Sequence, residues 1–196
     1  MRRAVAMLAL SVAGALTAGC AADPFAQQYL AGDNKGYIAG DFQTVEIAPE
    51  NRSAPIVFEG TTETGLAIDS AALAGSVVVV NFWYAACGPC IVEAPRLEES
   101  YQQFAGQDVV FLGVNTYDQP ATAAAFARDN GVTYPSLMAV DDSELKLAFA
   151  AATPLSATPT TLVLDRQGRI VARIVGELPD ASILTTLVRD TLAEAS

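Results

Sequence analysis

Hydrophobic positions along the chain change their period several times, and each change marks an element. Val77 to Trp83 (VVVVNFW) is a continuous β-branched and aromatic run of strand length, the pattern of a central strand buried on both faces. Ile91 to Phe104 follows with apolar residues at Ile91, Ala94, Leu97, Tyr101 and Phe104, a helical spacing with acids on the other side. Within it Pro95 cannot donate to Ile91, which predicts a kink after Ala94. Val109 to Val114 is a second buried strand, and Ala121 to Asn130 an alanine-rich helix stopped by Gly131, a natural C-terminal cap. Then come Ser136 to Val140 as strand, Ser143 to Ala150 as short helix and Thr160 to Leu164 as strand. Asp165-Arg166-Gln167-Gly168 is a turn, Arg169 to Val175 pairs back, and Asp180 to Ala193 closes as an amphipathic helix. The order β-α-β-α-β-α-β-β-α argues for an α/β fold. Its sheet is largely parallel and covered by helices on both faces, with antiparallel strands added by the last hairpin.

Upstream the pattern weakens. Pro55 to Ile68 alternates loosely around Gly60 and Gly65, which predicts a short N-terminal β-hairpin. Ala21 to Arg52 holds no sustained period of either kind and reads as a tether with at most one short strand. The first twenty residues, MRRAVAMLALSVAGALTAGC, pair Arg2 and Arg3 with an apolar core from Ala4 to Leu16 and a small-residue run ending at Cys20. That is the pattern of an export signal. The apolar stretch is shorter than the roughly 20 residues a transmembrane helix needs. It also resembles the bacterial lipobox, in which the signal is cut before a cysteine that then carries lipid. Here Leu16 lies one place earlier than that pattern prefers, and an ordinary cleavable signal is the alternative. The chain thus divides into an export signal (1–19), a lipid-anchored tether (20–52) and one folded domain (53–196).

Charge narrows the partners. The chain carries 11 Lys+Arg against 22 Asp+Glu, and loss of Arg2 and Arg3 with the signal leaves 9 against 22. Nucleic acid is excluded as a partner, because phosphate binding needs clustered cations. Histidine is absent, which removes the commonest general base and the commonest metal ligand together.

With Cys20 assigned to lipid, two cysteines remain, in NFWYAACGPCIVEAP, residues Asn81 to Pro95. A structural zinc site wants four ligands, and neither histidine nor a second cysteine pair is present to complete one. A structural staple closing so small a loop removes little chain entropy. Thiol–disulfide exchange fits the local geometry best. A strand feeding a helix N-terminus places Cys87 where unpaired N–H groups and the helix dipole stabilise a thiolate. Gly88 permits the tight turn, Pro89 suits the first helical turn, and Cys90 becomes the resolving thiol. Glu93 lies one turn beyond Cys90 and is either the proton acceptor for that step or an ordinary surface acid.

These residues resemble the thioredoxin superfamily, and within it the TlpA/ResA-like exported, membrane-anchored thiol–disulfide oxidoreductases. The resemblance runs from about Pro55 to Ala195. It rests on Asn81-Phe82-Trp83, Cys87-Gly88-Pro89-Cys90, Glu93-x-Pro95 and Thr158-Pro159-Thr160. It implies a thioredoxin-like fold in which Val109 to Asn130 supplies an extra strand and helix, and it implies that Glu93 is the functional acid. It further implies that Pro159 is cis and faces the cysteines, and that the backbone of Thr158 pairs with a bound peptide. The redox group is then the Cys87–Cys90 disulfide itself, with no cofactor and no metal.

One departure stands out. Family members usually carry a tryptophan immediately before the first cysteine, where this chain has Ala86. Docking is then expected to lean on Trp83, Tyr84, Gly88, Pro89 and the Thr158 loop. The other aromatics, Phe82, Phe104, Phe111, Phe126 and Phe149, are expected in the core.

The resemblance implies a monomer on the outer face of the cytoplasmic membrane. It would reduce disulfides of exported proteins, apocytochrome c among them, with electrons from a membrane donor. The Gly-Pro dipeptide resembles that of thioredoxin, a reductant near −270 mV, rather than an oxidant near −120 mV. A disulfide oxidase or isomerase, and more remotely a thiol peroxidase, are the alternatives.

Overall fold

The computed structural model describes residues 43–154 and 156–194. The expected export signal, Cys20 and the expected tether up to residue 42 lie outside the described residues. In chain order the elements are β1 (Gln43–Glu46), β2 (Glu59–Thr61), β3 (Ala67–Asp69), β4 (Val77–Trp83), α1 (Gly88–Gln103), β5 (Val109–Asn115), α2 (Pro120–Asn130), β6 (Ser136–Met138), α3 (Ser143–Ala150), β7 (Thr160–Leu164), β8 (Ile170–Val175) and α4 (Ala181–Ala193).

Six strands form one sheet in the order β1-β8-β7-β4-β5-β6. The β4–β5 and β5–β6 pairings are parallel, whereas β4–β7, β7–β8 and β1–β8 are antiparallel. The sheet is therefore more evenly mixed than the strand–helix alternation suggested. β5 pairs with β4 along its whole length, from Val77↔Val109 to Trp83↔Asn115, so the strand expected as an insertion lies inside the sheet. The predicted hairpin is present as β2 and β3, with Gly60 opposite Ile68.

Alternation along β4 divides the core in two. Val78, Val80 and Phe82 face Phe58 and the α3 residues Leu145 and Phe149. The Phe149 ring lies 5.0 Å from Phe58 and 5.2 Å from Phe82. Val77 and Val79 face Leu97 of α1 and Leu184 and Val188 of α4. By the same alternation Asn81 and Trp83 point toward α1, which puts the only polar residue of β4 on the side of the cysteines.

Helix ends follow the local chemistry. Asp142 caps α3 by accepting from Leu145 N at 2.9 Å, and Asp180 caps α4 by accepting from Ser182 N at 2.8 Å. Gly131 ends α2 at φ 71°, a left-handed conformation that glycine adopts without steric cost. Pro95 does not end α1, which continues to Gln103.

The domain begins earlier than residue 53. β1 adds to the sheet edge beside β8, with Thr44 opposite Ile174. Arg52 then locks the segment down, its side chain only 2% exposed. It donates to Ile47 O at 3.2 Å, to Asp165 Oδ2 at 3.2 Å and to both Glu194 oxygens at 2.6 Å. Residues 43–52, expected as part of a tether, thus belong to the folded unit. Composition concealed this, because all of β1 is exposed and Val45 is its one apolar residue.

Candidate active site

β4 delivers the chain to the N-terminus of α1 through a turn in which Cys87 N–H donates to Tyr84 O at 3.1 Å. Cys87 is the N-cap of α1, and its Sγ accepts from Cys90 N at 3.2 Å. Cys87 and Cys90 are joined in a disulfide with S–S 2.05 Å and Cα–Cα 5.2 Å. Both are buried, while Ala86 and Gly88 are exposed and Pro89 half-buried, so the approach to the pair is framed by small residues.

Glu93 was expected either as a proton acceptor or as a surface acid. It lies on the inner face of α1, 1% exposed, and not among the acids of the outer face. Its Oε1 accepts from Asn81 Nδ2 at 2.8 Å, and its Oε2 accepts from Leu178 N at 2.9 Å. Asn81 uses its second amide hydrogen on Thr161 Oγ1 at 3.1 Å. Burial pushes the Glu93 carboxyl from its ordinary 4.5 up to about 8, against the lowering pull of the Leu178 and Asn81 donors. The surface-acid alternative is thereby removed. A cavity of about 10 Å³, room for at most one water, is lined by Asn81, Trp83, Cys90, Tyr134 and Ser136. The residue that orients Glu93 and the second cysteine therefore line one small cavity.

Trp83 departs from expectation. It is 5% exposed, donates from Nε1 to Ser136 Oγ at 3.1 Å and stacks on Phe126 with centroids 4.3 Å apart. It is a floor beneath the disulfide and not a rim residue. Gly113 makes this possible, since a Cβ there would stand 2.6 Å from Trp83 Nε1 and collide with Ser136 Oγ. Phe126, expected in the core, is half-buried and packs against the core cluster of Trp83, Cys87, Cys90 and Ala123. Tyr84 is half-buried beside it.

The peptide Thr158–Pro159 is cis, and both residues are buried. Thr160 pairs with Phe82, so the register carries this bend to the end of the sheet where β4 enters the cysteine turn. Cys20 lies outside the described residues. Two partners were not singled out from sequence: the Leu178 amide, which carries no local signal, and Asp118. The latter was legible as Asn115-x-x-Asp118, an Asx-turn pattern. Asp118 Oδ2 accepts from Ala85 N at 2.6 Å.

A family model described as Redoxin matches residues 40–188. The chain belongs to the Redoxin family. Within it the chain is similar to the thiol-disulfide oxidoreductase ResA of Bacillus subtilis (strain 168), 29% identical over 143 residues. That match covers 72% of this chain and 76% of ResA. It is 34% identical over 119 residues to the thiol:disulfide interchange protein HelX of Rhodobacter capsulatus, covering 61% of this chain and 62% of HelX. Among solved structures, a secreted thiol-disulfide isomerase from Corynebacterium glutamicum has a TM-score of 0.69 at 27% identity, covering 77% of this chain and 92% of that one. This Redoxin-family chain therefore carries a thioredoxin-like α/β domain of the TlpA/ResA-like kind, and the domain is a thiol–disulfide oxidoreductase domain.

Proposed function

We propose that the protein is an exported, membrane-anchored reductase of protein disulfides in which Cys87 attacks, Cys90 resolves and Glu93 moves the proton. The observation that carries this reading is the buried Glu93, held by Asn81 and Leu178 one helical turn behind Cys90.

In the reduced protein the Cys87 thiolate, favoured by the helix dipole of α1 and by the Cys90 N–H that points at its Sγ, attacks one sulfur of a substrate disulfide. The Cys87–substrate bond forms, and the other substrate sulfur leaves as thiolate and takes a proton. Cys90 then attacks Cys87 Sγ, its thiol proton passing to Glu93 in the molecules whose carboxyl is ionised, a share that grows as pH rises toward about 8. The second substrate thiolate is released, and the pair returns to the observed disulfide. Two electrons have moved to substrate, and a membrane thiol donor must replace them. The substrate segment lies between the Cys87 turn, with Tyr84, Gly88 and Pro89, and the bend at Thr158–Pro159.

Cys20 carries the lipid that holds the domain on the outer face of the cytoplasmic membrane. Exported proteins with disulfides are the substrates, apocytochrome c among them, as the resemblance to the TlpA/ResA-like branch implies. Equilibrating the domain against thiol buffers gives the direction of flow. A reductase is expected near thioredoxin's value of about −270 mV. A value near −120 mV would make the protein an oxidase instead.

A further inference from the structure

The exposed Ala86 leaves the cysteine turn without a large apolar side chain, yet a second loop supplies one. Asn115, at the end of β5, accepts at Oδ1 from Tyr117 N at 3.1 Å and from Asp118 N at 2.7 Å. Its Nδ2 donates to Asp118 Oδ2 at 2.9 Å, and the same oxygen accepts from Ala85 N at 2.6 Å. Thr116 N donates to Trp83 O at 3.1 Å. The 115–118 loop is thus bonded to the end of β4 and to the turn that presents Cys87. At its apex Tyr117 is 74% exposed, its ring 5.9 Å from the ring of Tyr84.

Single exposed hydrophobic residues are ordinary on protein surfaces. Leu147, on α3, is equally exposed at 74% and has no such setting. Tyr117 differs in two respects. Its backbone is fixed by the Asx turn, so a partner meets a preorganised ring at low entropic cost. Its loop is also continuous, through Asp118 and Ala85, with the exchange site itself.

We propose that Tyr117 is a specificity-determining docking residue that receives an apolar or aromatic side chain flanking the disulfide of an extended protein substrate. Tyr117 with Tyr84 then does what a bulky residue at Ala86 would otherwise do. A ring set one loop away from Cys87 touches residues beyond the disulfide, so it favours proteins over small disulfides. Asp118 acts through the Ala85 amide and is a positioning residue. This inference rests on the proposed protein-disulfide reductase activity.

The test uses insulin as the protein disulfide and oxidised glutathione as the small one, with dithiothreitol supplying two electrons per disulfide. In Tyr117→Ala the ratio of insulin to glutathione-disulfide kcat/KM is expected to fall about tenfold, mainly through KM for insulin. That size corresponds to loss of one good aromatic contact. Tyr117→Phe keeps the ratio, Leu147→Ala leaves it unchanged, and adding Ala86→Trp to Tyr117→Ala restores much of it. An unchanged ratio in Tyr117→Ala, or equal loss on both disulfides, would overturn the inference while leaving the reductase reading intact. Failure of the wild-type protein to reduce either disulfide would remove that reading, and the inference with it.

Discussion

Replacing Glu93 with glutamine is expected to slow release of reduced substrate by about a hundred- to ten-thousand-fold, the usual worth of a positioned acid–base group. Attack by Cys87 does not depend on Glu93, so rapid mixing should show a burst of mixed disulfide that then decays slowly. A second signature follows from burial. Between pH 4.5 and about 8 the folded protein holds a proton on Glu93 that the unfolded chain has lost. Unfolding releases that proton, so stability declines as pH rises through this window and levels off above it. Urea midpoints of the oxidised protein at pH 5 and pH 8 should show the decline, and Glu93→Gln should flatten it. A wild-type resolving rate in Glu93→Gln, with the slope retained, would show that the carboxylate neither moves the proton nor is buried as described.

The second large effect is on stability. Arg52→Ala is expected to cost about 3 kcal/mol, at the lower end for removing one partner of a buried ion pair. The lower end applies because Asp165 keeps Arg169 Nε at 2.8 Å and the backbone N–H groups of Gln167 and Arg169 after Arg52 is gone. Arg52→Lys should recover only part of the loss. A single ammonium cannot reach Ile47 O, Asp165 and both oxygens of Glu194 as the planar guanidinium does. Chemical denaturation measures both variants. A loss under about 0.5 kcal/mol in Arg52→Ala would mean that residues 43–52 are not anchored.

Much of the fold was legible because β4, β5, β7 and α4 have long, uniform patterns whose period decides their type. The cysteine turn was legible because its Gly-Pro dipeptide and N-terminal position are local features. What escaped depends on distant partners. Local spacing left Glu93 as either proton acceptor or surface acid, and only the resemblance favoured the first, since its burial is compensated by Asn81 and by Leu178, 85 residues away. Ile91 shows the converse, fitting the apolar stripe yet standing 43% exposed beside the site. Trp83 was expected to share in docking, but the alternation of β4 and the missing Cβ of Gly113 draw it inward. The early start of the domain depended on Arg52 finding Asp165 and Glu194, which no reading of residues 43–52 alone could supply.

The central claim is that Cys87 forms the covalent bond with substrate and Cys90 releases it. The most direct measurement is mass spectrometry of reduced Cys90→Ser and Cys87→Ser proteins after exposure to insulin under denaturing quench. A stable one-to-one mixed disulfide on Cys87 in Cys90→Ser, with little adduct in Cys87→Ser, is the predicted result. Equal trapping by both variants, or trapping only through Cys90, would contradict it.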